Sequence, residues 1–265
     1  METSRDRAAI LPHRQHRPLG PAVVLEALTE LFLPRDCCGC GAASCTLCED
    51  CLPAFTAAPG LIPAPRYARV PVWSALPYGG AVRHAVLAYK NGGRHDLHAL
   101  LSLVLAGVIA RAAEDLHEQH GLDLGRTVLI VPVPGSGRAV RERGTDLVRE
   151  LAIRAAAELP ELRLEPVALL QAGRRRTQAG LGARERRANL HGTMRLRRAA
   201  ASRLRGGTVL LIDDVVTTGA TLAETGRVCR AAGAAVAGAC TLAYRQERGS
   251  EAQQALAGET FPGEF

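Results

Sequence analysis

The chain has 265 residues, which suffices for one α/β domain of ordinary size and a small additional module. Its 47% apolar content is typical of a protein with a packed core. The net charge of +7 is concentrated, because residues 174–205 hold eleven arginines and a single acid, Glu185. The positive charge is therefore not spread evenly along the chain but lies in this one segment.

The N-terminal residues 1–20 are polar and rich in Arg, His and Pro, and they lack the apolar core of a signal peptide. We expect them to form a disordered tail. The longest apolar run, residues 99–110, is too short to span a bilayer and is interrupted by Ser102 and Gly107. We therefore expect a cytoplasmic protein with no membrane-spanning segment. In that compartment the eight cysteines favour metal binding over a disulfide framework.

Residues 21–66 are predicted to hold a short helix, a metal-binding module and a linker. Residues 22–33 place apolar side chains at helical spacing, and Pro34 ends the pattern. Residues 57–66 carry three prolines and predict the linker. The cysteine-rich stretch lies between these two segments.

Four cysteines follow the spacing C-x2-C-x7-C-x2-C: Cys37, Cys40, Cys48 and Cys51. Each pair can form a tight knuckle, and two knuckles can close on one ion, for which thiolate ligands favour a structural Zn²⁺. Cys38 would point away from the same metal, whereas Cys45 with Cys48 offers a rival pairing. Free thiols and a labile iron–sulfur site are the alternatives to zinc.

The next segment predicts a strand, a helix and a distinctive lysine. Residues 70–78 alternate as a strand does, and residues 81–90 predict a short helix. That helix delivers Lys90, the single lysine of the chain, to a glycine-rich turn at residues 91–93, a combination typical of a phosphate-facing loop. Chance retention of the lysine is the alternative. A helix is predicted at residues 96–119, capped by Gly121.

Two further strands are predicted at residues 127–133 and 162–170. The first is followed by the small residues 134–137, which leave backbone N–H groups accessible at a strand end. Arg138, Arg141 and Arg143 come next, on the start of a helix. Pyrophosphate could lie there.

The most informative stretch is residues 209–221, with the sequence VLLIDDVVTTGAT. Its first four residues predict a buried parallel strand, and residues 222–232 predict the helix that follows. Open α/β sheets bind ligands at the carboxyl ends of their strands, where Asp213 and Asp214 offer acceptors for sugar hydroxyls or a divalent cation. The loop from Thr217 to Thr221 offers hydroxyl and N–H groups at a helix N-terminus, which favours a phosphate. A plain strand-turn-helix unit with two solvated aspartates is the alternative.

Residues 209–221 resemble the phosphoribosyl pyrophosphate (PRPP) binding motif of type I phosphoribosyltransferases at every position that defines it. The resemblance implies that PRPP binds with Mg²⁺ and that Asp213 and Asp214, the candidate catalytic residues, hold the ribose hydroxyls. Lys90 and Arg138 are candidates for contact with the pyrophosphate. The loop implied to wrap the 5′-phosphate consists of Val215, Val216, Thr217, Thr218, Gly219, Ala220 and Thr221.

The chain also resembles the ComF family within that superfamily. V-P-V-P at residues 131–134 is followed by the family pattern R-x-x-x-R-G, in which Arg138, Arg143 and Gly144 are the matching positions. Residues 177–190, which include Arg187, resemble the mobile hood segment over the PRPP site, although a charge run is also typical of a solvated face. The sequence departs from the family at residues 145–146, where ComF proteins usually carry an aromatic residue and an Asn-Gln pair.

We therefore expect an α/β fold in which helices flank a phosphoribosyltransferase-like, parallel twisted sheet at residues 67–248, with its last strand at 234–242. A basic hood segment and the small zinc module complete it, and residues 249–265 form a C-terminal tail. The resemblance implies transfer of phosphoribose to an unidentified acceptor in a protein associated with competence and DNA uptake. The alternative is a non-catalytic accessory protein that binds single-stranded DNA, contacts the DNA-uptake machinery and uses the PRPP site as a sensor.

Overall fold

The structure is a computed structural model that describes residues 36–168, 170–171, 192, 194–196 and 198–245. The predicted tails at 1–20 and 249–265, the predicted helix at 22–33 and the hood segment at 177–190 lie outside these residues. The cysteine-rich stretch and the stretch 209–221 lie within them.

A six-stranded sheet forms the centre of the protein, in the order β1-β2-β8-β7-β3-β4. Its strands are β1 (Gly60–Leu61), β2 (Val72–Pro77), β3 (Val128–Pro132), β4 (Leu164–Pro166), β7 (Thr208–Val216) and β8 (Ala235–Tyr244). All neighbouring strands are parallel except β1 and β2. A separate antiparallel pair consists of β5 (Leu170–Gln171) and β6 (Met194–Arg195).

Helices cover both faces of the sheet. The described α-helices are α1 (Gly80–Asn91), α2 (His98–His120), α3 (Gly137–Arg143), α4 (Leu147–Ala157), α5 (Arg198–Leu204) and α6 (Ala220–Ala231). Two 3-10 helices span Leu52–Phe55 and His95–Leu97. Helices α1, α2 and α4 share one hydrophobic core with the sheet, and α5 and α6 share the other. The predicted α/β class, with a mostly parallel sheet flanked by helices, is confirmed.

The strands between the two cores are apolar on both faces. Along β7, Leu210 and Ile212 belong to the core under α2, whereas Val209 and Leu211 belong to the core under α6, and all four are fully buried. Successive strand residues point to opposite faces, so a strand covered on both sides needs an unbroken apolar run. This is why residues 209–212 are uniformly apolar.

Helix α2 is a core helix of this sheet. By length and composition alone, the helical stretch His95–His120 is apolar enough to cross a membrane, but 56% of its apolar window is buried inside the protein. It contacts α4, β2 and β8. Gly121 ends it in the left-handed region with φ of 64°, as the sequence predicts.

The predicted strand at residues 162–170 is wrong in extent. The structure divides this stretch into β4 at Leu164–Pro166 and the start of the separate pair at Leu170. The ladder between β3 and β4 ends with the bond from the N–H of Val167 to the carbonyl of Ile130 (2.9 Å), because the next donor on β3 would be Pro132, which lacks an N–H. The segment predicted as a linker carries β1, which pairs with β2.

The strand order places a crevice between β3 and β7. From β3 the chain goes to β4 on one side and then returns to β7 on the other side of β3. In open parallel sheets, ligands bind at such a switch point, outside the carboxyl ends of the strands. The predicted site residues must therefore be sought where β3 and β7 end.

Candidate active site

Strand β7 continues past the end of β3, and this offset opens a cleft. The last backbone bond between the two segments runs from the N–H of Val133 to the carbonyl of Ile212 (2.7 Å). The next donors in this register are engaged elsewhere, since the N–H of Asp214 donates to Oδ1 of Asp213 and that of Gly135 donates to Oδ2 of Asp146, so β3 and β7 pair no further. β7 proceeds to Val216, paired with β8 on its other side. The sequence predicts a loop from Asp213 onward, but the structure keeps the strand through Val216 because β8 is long enough to pair with it.

Asp213 and Asp214 lie on this protruding part of β7. The N–H of Asp214 donates to Oδ1 of Asp213 (2.9 Å), and the N–H of Val215 donates to Oδ1 of Asp214 (2.6 Å). Each carboxylate is thereby held by the backbone that follows it. The two groups line the cleft in fixed positions, which favours recognition of a ligand that donates hydrogen bonds.

Lys90 faces Asp214 from the last turn of α1. Its Nζ lies 2.7 Å from Oδ2 of Asp214, and the two side chains are 30% and 15% exposed. Burial by itself lowers the pKa of Lys90. The charge and hydrogen bond of Asp214, with the charge of Asp213, outweigh that effect and raise the pKa above its ordinary value. The lysine is therefore a permanent cation at neutral pH.

The segment after β3 forms the wall opposite β7. Ser136 caps α3 by accepting a hydrogen bond from the N–H of Ala139 (3.2 Å). The N–H of Gly135 donates to Oδ2 of Asp146 (3.1 Å). The sequence predicts that this N–H is accessible to a ligand, but the bond to Asp146 already uses it. From the end of α3, Nη1 of Arg143 donates to the carbonyl of Lys90 (2.9 Å). The wall thus contributes the carboxylate of Asp146 and the guanidinium of Arg143 to the cleft.

The loop after β7 packs against residues 67–68. Gly219 precedes α6 with φ of 73°, and a Cβ there would lie 2.7 Å from the backbone N of Ala68. The N–H of Tyr67 donates to the carbonyl of Thr218 (2.8 Å). Only glycine fits at this position. The turn presents the first N–H groups of α6, which lack partners within the helix, next to Thr221 in the cleft lining.

The cleft has a volume of about 280 Å³. Among the side chains that the structure describes, the charged lining residues are Lys90, Arg143, Asp146, Asp213 and Asp214. The three carboxylates of this set disfavour a highly charged anion unless a cation accompanies it.

The remaining predicted site residues divide into four groups, one of which is Thr217 alone, an exposed residue. Val215 and Thr221 line the cleft, whereas Val216 and Ala220 are buried and support the turn. Arg138 lies in the first turn of α3, but its side chain is outside the described part of the structure. Arg187 lies outside the described residues altogether.

The four predicted metal ligands lie together in the N-terminal module. The Sγ atoms of Cys37, Cys40, Cys48 and Cys51 are all within 4.8 Å of one another. Sγ of Cys48 is 3.6 Å from that of Cys37 and from that of Cys40. Four thiolates about 2.3 Å from a tetrahedral metal would be about 3.8 Å apart, so the group fits a zinc-sized ion.

Backbone donors favour the ionised form of one of these thiols. The N–H groups of Cys40, Cys48 and Gly39 lower the pKa of Cys37 to about 5, against an opposing effect of burial. The other two cysteines of the stretch do not belong to the group of four, although Cys45 is close enough to Cys37 for a side-chain hydrogen bond. Cys38 is buried in the main hydrophobic core, where burial raises its pKa to about 11, and Sγ of Cys45 is directed at the carbonyl of Ala42 (3.7 Å).

The sequence interpretation missed the contribution of Asp146 to the cleft. It treated residues 145–146 only as a departure from a family pattern. Asp146 caps α4 by accepting from the N–H of Arg149 and also accepts from Gly135 across the cleft wall. An aspartate before an apolar helical run is a recognisable N-cap signal. The contact with Gly135, in contrast, depends on the tertiary fold.

Comparison with known proteins supports a family assignment. Residues 102–257 match the model of the phosphoribosyl transferase domain, which is more than half of the chain. A comparison with curated proteins finds no match.

A comparison with solved structures matches parts of this chain to phosphoribosyltransferases. Hypoxanthine-guanine phosphoribosyl transferase of L. donovani is 16% identical, with 55% of this chain and 71% of that chain covered and a TM-score of 0.32. Hypoxanthine phosphoribosyl transferase of Trypanosoma cruzi is 19% identical, with 57% and 68% covered and a TM-score of 0.34. Orotate phosphoribosyltransferase of Aeropyrum pernix is 23% identical, with 56% and 66% covered and a TM-score of 0.26. These values are too low to carry an argument about substrate, so the assignment rests on the domain match. By that match, the chain belongs to the phosphoribosyl transferase domain family.

Proposed function

We propose that this protein binds PRPP with Mg²⁺ and is a phosphoribosyltransferase of the ComF type that transfers phosphoribose to an acceptor. One observation carries the proposal. Within a phosphoribosyl transferase domain, two backbone-held carboxylates on β7 stand beside a glycine turn at a helix N-terminus and a cationic lysine. This arrangement offers acceptors for a diol, donors for a monophosphate and a cation for a second phosphate group.

Each part of PRPP has a counterpart in this proposal. Asp213 and Asp214 accept hydrogen bonds from the ribose 2′- and 3′-hydroxyls. The turn from Val215 to Thr221 holds the 5′-phosphate at the N-terminus of α6. Lys90 and Arg138 contact the pyrophosphate, and Arg187 in the hood segment closes over the bound anion. The described carboxylates of the cleft lining support this metal-assisted binding, because they can share a divalent cation with the ligand.

The chemistry we propose needs positioning and charge stabilisation, with no protein nucleophile. The bond between C1 of the ribose and the pyrophosphate oxygen breaks, and the acceptor forms a new bond to C1. Lysine and arginine side chains stabilise the charge that develops on the leaving pyrophosphate, the carboxylates hold the sugar, and closure of the hood excludes water. Mg²⁺, when bound, would neutralise part of the pyrophosphate charge.

The N-terminal module is proposed to hold one structural Zn²⁺ through Cys37, Cys40, Cys48 and Cys51. The sulfur distances of 3.6 Å and the low pKa of Cys37 support it. A module this short buries few apolar residues, so a metal supplies much of its folding free energy.

A second candidate function is binding of single-stranded DNA as an accessory of DNA uptake in the cytoplasm. The concentrated charge of residues 174–205 favours it, because a phosphate backbone attracts such a segment. One of these arginines has another role, since Arg203 forms an ion pair with Glu165. The chain holds only nine aromatic residues, which argues against strong base stacking.

Calorimetric titration with PRPP and Mg²⁺ tests the leading proposal, and titration of labelled single strands across salt concentrations, with and without PRPP, tests the second. We expect PRPP to bind in a Mg²⁺-dependent manner. Wild-type protein that fails to bind PRPP would falsify the leading proposal. Salt-dependent binding of DNA that PRPP leaves unchanged would favour a separate DNA surface over a PRPP sensor.

A further inference from the structure

The cysteine module and the cleft share one helix, α1. Nδ1 of His84, in the second turn of α1, lies 2.8 Å from the carbonyl oxygen of Gly39. A carbonyl only accepts hydrogen bonds, so Nδ1 is the donor. Gly39 lies between the proposed ligands Cys37 and Cys40, and metal coordination by those two residues would therefore fix the carbonyl to which His84 binds.

The knuckle that contains Cys37, Gly39 and Cys40 packs closely against α1. A Cβ at Gly39 would lie 2.8 Å from Cβ of Ala81 and 2.7 Å from Sγ of Cys51. Only glycine at this position lets the knuckle backbone approach the first turn of α1 so closely. A change in the shape of the knuckle would therefore act directly on α1.

A second contact joins the module to the chain just after α1. Nη1 of Arg94 donates to the carbonyl of Asp36 (2.9 Å), while Nε and Nη2 bind the carboxylate of Asp96 at 2.8–3.2 Å. Lys90 lies between His84 and Arg94 in the sequence. The module therefore holds the lysine-bearing segment from both sides.

The cleft contacts of Lys90 depend on the placement of α1. Lys90 is six residues after His84, about 9 Å along the helix axis. Its Nζ to Asp214 distance is 2.7 Å, so a helix shift of about 1 Å would take the pair beyond hydrogen-bond length. Nη1 of Arg143 donates to the backbone carbonyl of Lys90, so the same helix shift would also change the length of this hydrogen bond.

We propose that the four-cysteine module is a positioning device for Lys90, and that His84 and Arg94 are the positioning residues that connect the knuckle to the cleft. The inference rests on the proposed function, since it concerns affinity for pyrophosphate and PRPP. With the knuckle held by its metal, α1 places the lysine amine where a pyrophosphate group can replace Asp214 as its partner. When the contact to Gly39 is lost, α1 is free to shift and the cleft loses affinity.

A mutational cycle on the whole 265-residue chain, purified with zinc present, tests this coupling. The variants are His84→Ala, Lys90→Ala and the double variant, with His84→Asn as a rescue because an Asn side-chain N–H can replace Nδ1–H. His117→Ala is the matched control, since Nδ1 of His117 makes a similar bond to the carbonyl of Leu122 (2.7 Å) at the C-terminal end of α2. Zinc content is measured for each variant, and affinities for pyrophosphate and for PRPP with Mg²⁺ are measured by calorimetry.

We expect His84→Ala to keep one zinc per chain and to bind both ligands about fivefold more weakly, which corresponds to the loss of one hydrogen bond. His84→Asn should restore the affinity, and His117→Ala should leave it unchanged. In the Lys90→Ala background, His84→Ala should have no further effect. Additive losses, or wild-type affinity in zinc-loaded His84→Ala, would overturn the coupling alone. Wild-type protein that binds neither ligand would refute the proposed function and the coupling together.

Discussion

Asp214→Asn is expected to change the affinities of two ligands in opposite directions. In the ligand-free protein, Asp214 is the partner of Lys90 at 2.7 Å. The substitution keeps the size of the side chain, removes its charge and replaces one acceptor atom with a donor. Ribose 5-phosphate, which needs the acceptor for its hydroxyls, should bind less tightly. Pyrophosphate, which needs Lys90, should bind more tightly because the lysine no longer has its directly paired carboxylate.

The structure sets the size of each effect. A charge-assisted hydrogen bond contributes about 1.5–3 kcal/mol, so ribose 5-phosphate should lose roughly tenfold to a hundredfold in affinity. The Lys90 pair is 30% and 15% exposed, and solvent screens it. Its release therefore contributes about 1 kcal/mol, or roughly fivefold in pyrophosphate affinity. If Asp213 is also changed to Asn, the loss for PRPP should reach about a hundredfold or more.

Calorimetry measures both affinities, with pyrophosphate titrated in Mg²⁺-free buffer so that the metal does not obscure the effect of Lys90. Asp123→Asn is the control, because it removes the same charge from an exposed residue. Asp123 accepts a hydrogen bond from the N–H of Gly125 and precedes the amino end of β3, away from the cleft. Circular dichroism checks the fold. Weaker pyrophosphate binding together with unchanged ribose 5-phosphate binding would refute the assignment of Asp214 to the sugar and Lys90 to the pyrophosphate.

Three further predictions concern the cysteines and the hood. Cys48→Ser is expected to lose zinc by elemental analysis, and a variant with full zinc would contradict the ligand set. Neutralising Arg184 and Arg187 should weaken PRPP binding in a salt-dependent way and leave the melting temperature nearly unchanged; equal affinity would identify them as solvated surface residues. Cys229 and Cys240 are fully buried, and burial raises the pKa of Cys229 to about 12, so both should resist alkylation at neutral pH until the protein is denatured. Rapid labelling of the native protein would contradict their burial.

The main elements could be predicted from the sequence because their periodicity reflects burial. β7, α2 and α6 are each marked by an apolar pattern that matches the core they contact. Strand ends were harder to predict, because they depend on neighbours distant in sequence. Asp213 and Asp214 have low strand propensity, yet they remain in β7 since β8 extends alongside them.

The candidate site was predictable in composition but not in its contacts. The motif at residues 209–221 identified both carboxylates and the glycine turn. The lysine was singled out because it is unique in an arginine-rich chain. No local sequence pattern predicts that Lys90 pairs with Asp214, or that Asp146 accepts a hydrogen bond from the N–H of Gly135. Such pairings arise only when α1, α4 and the ends of β3 and β7 converge.

The position of β8 has a consequence for how the chain folds during synthesis. β2 pairs with β8, as in the contact of Ser74 Oγ with the carbonyl of Thr241 (3.1 Å), so an early strand of the described chain needs the last described strand as its neighbour. β7 also depends on β8 for its whole length. Pairing at such sequence separation is slow, because the entropy of closing a long loop is lost before any contact between the strands offsets that loss. Until residues 235–244 leave the ribosome, β2 and β7 expose unpaired edges, and the nascent chain is most vulnerable to aggregation in that interval.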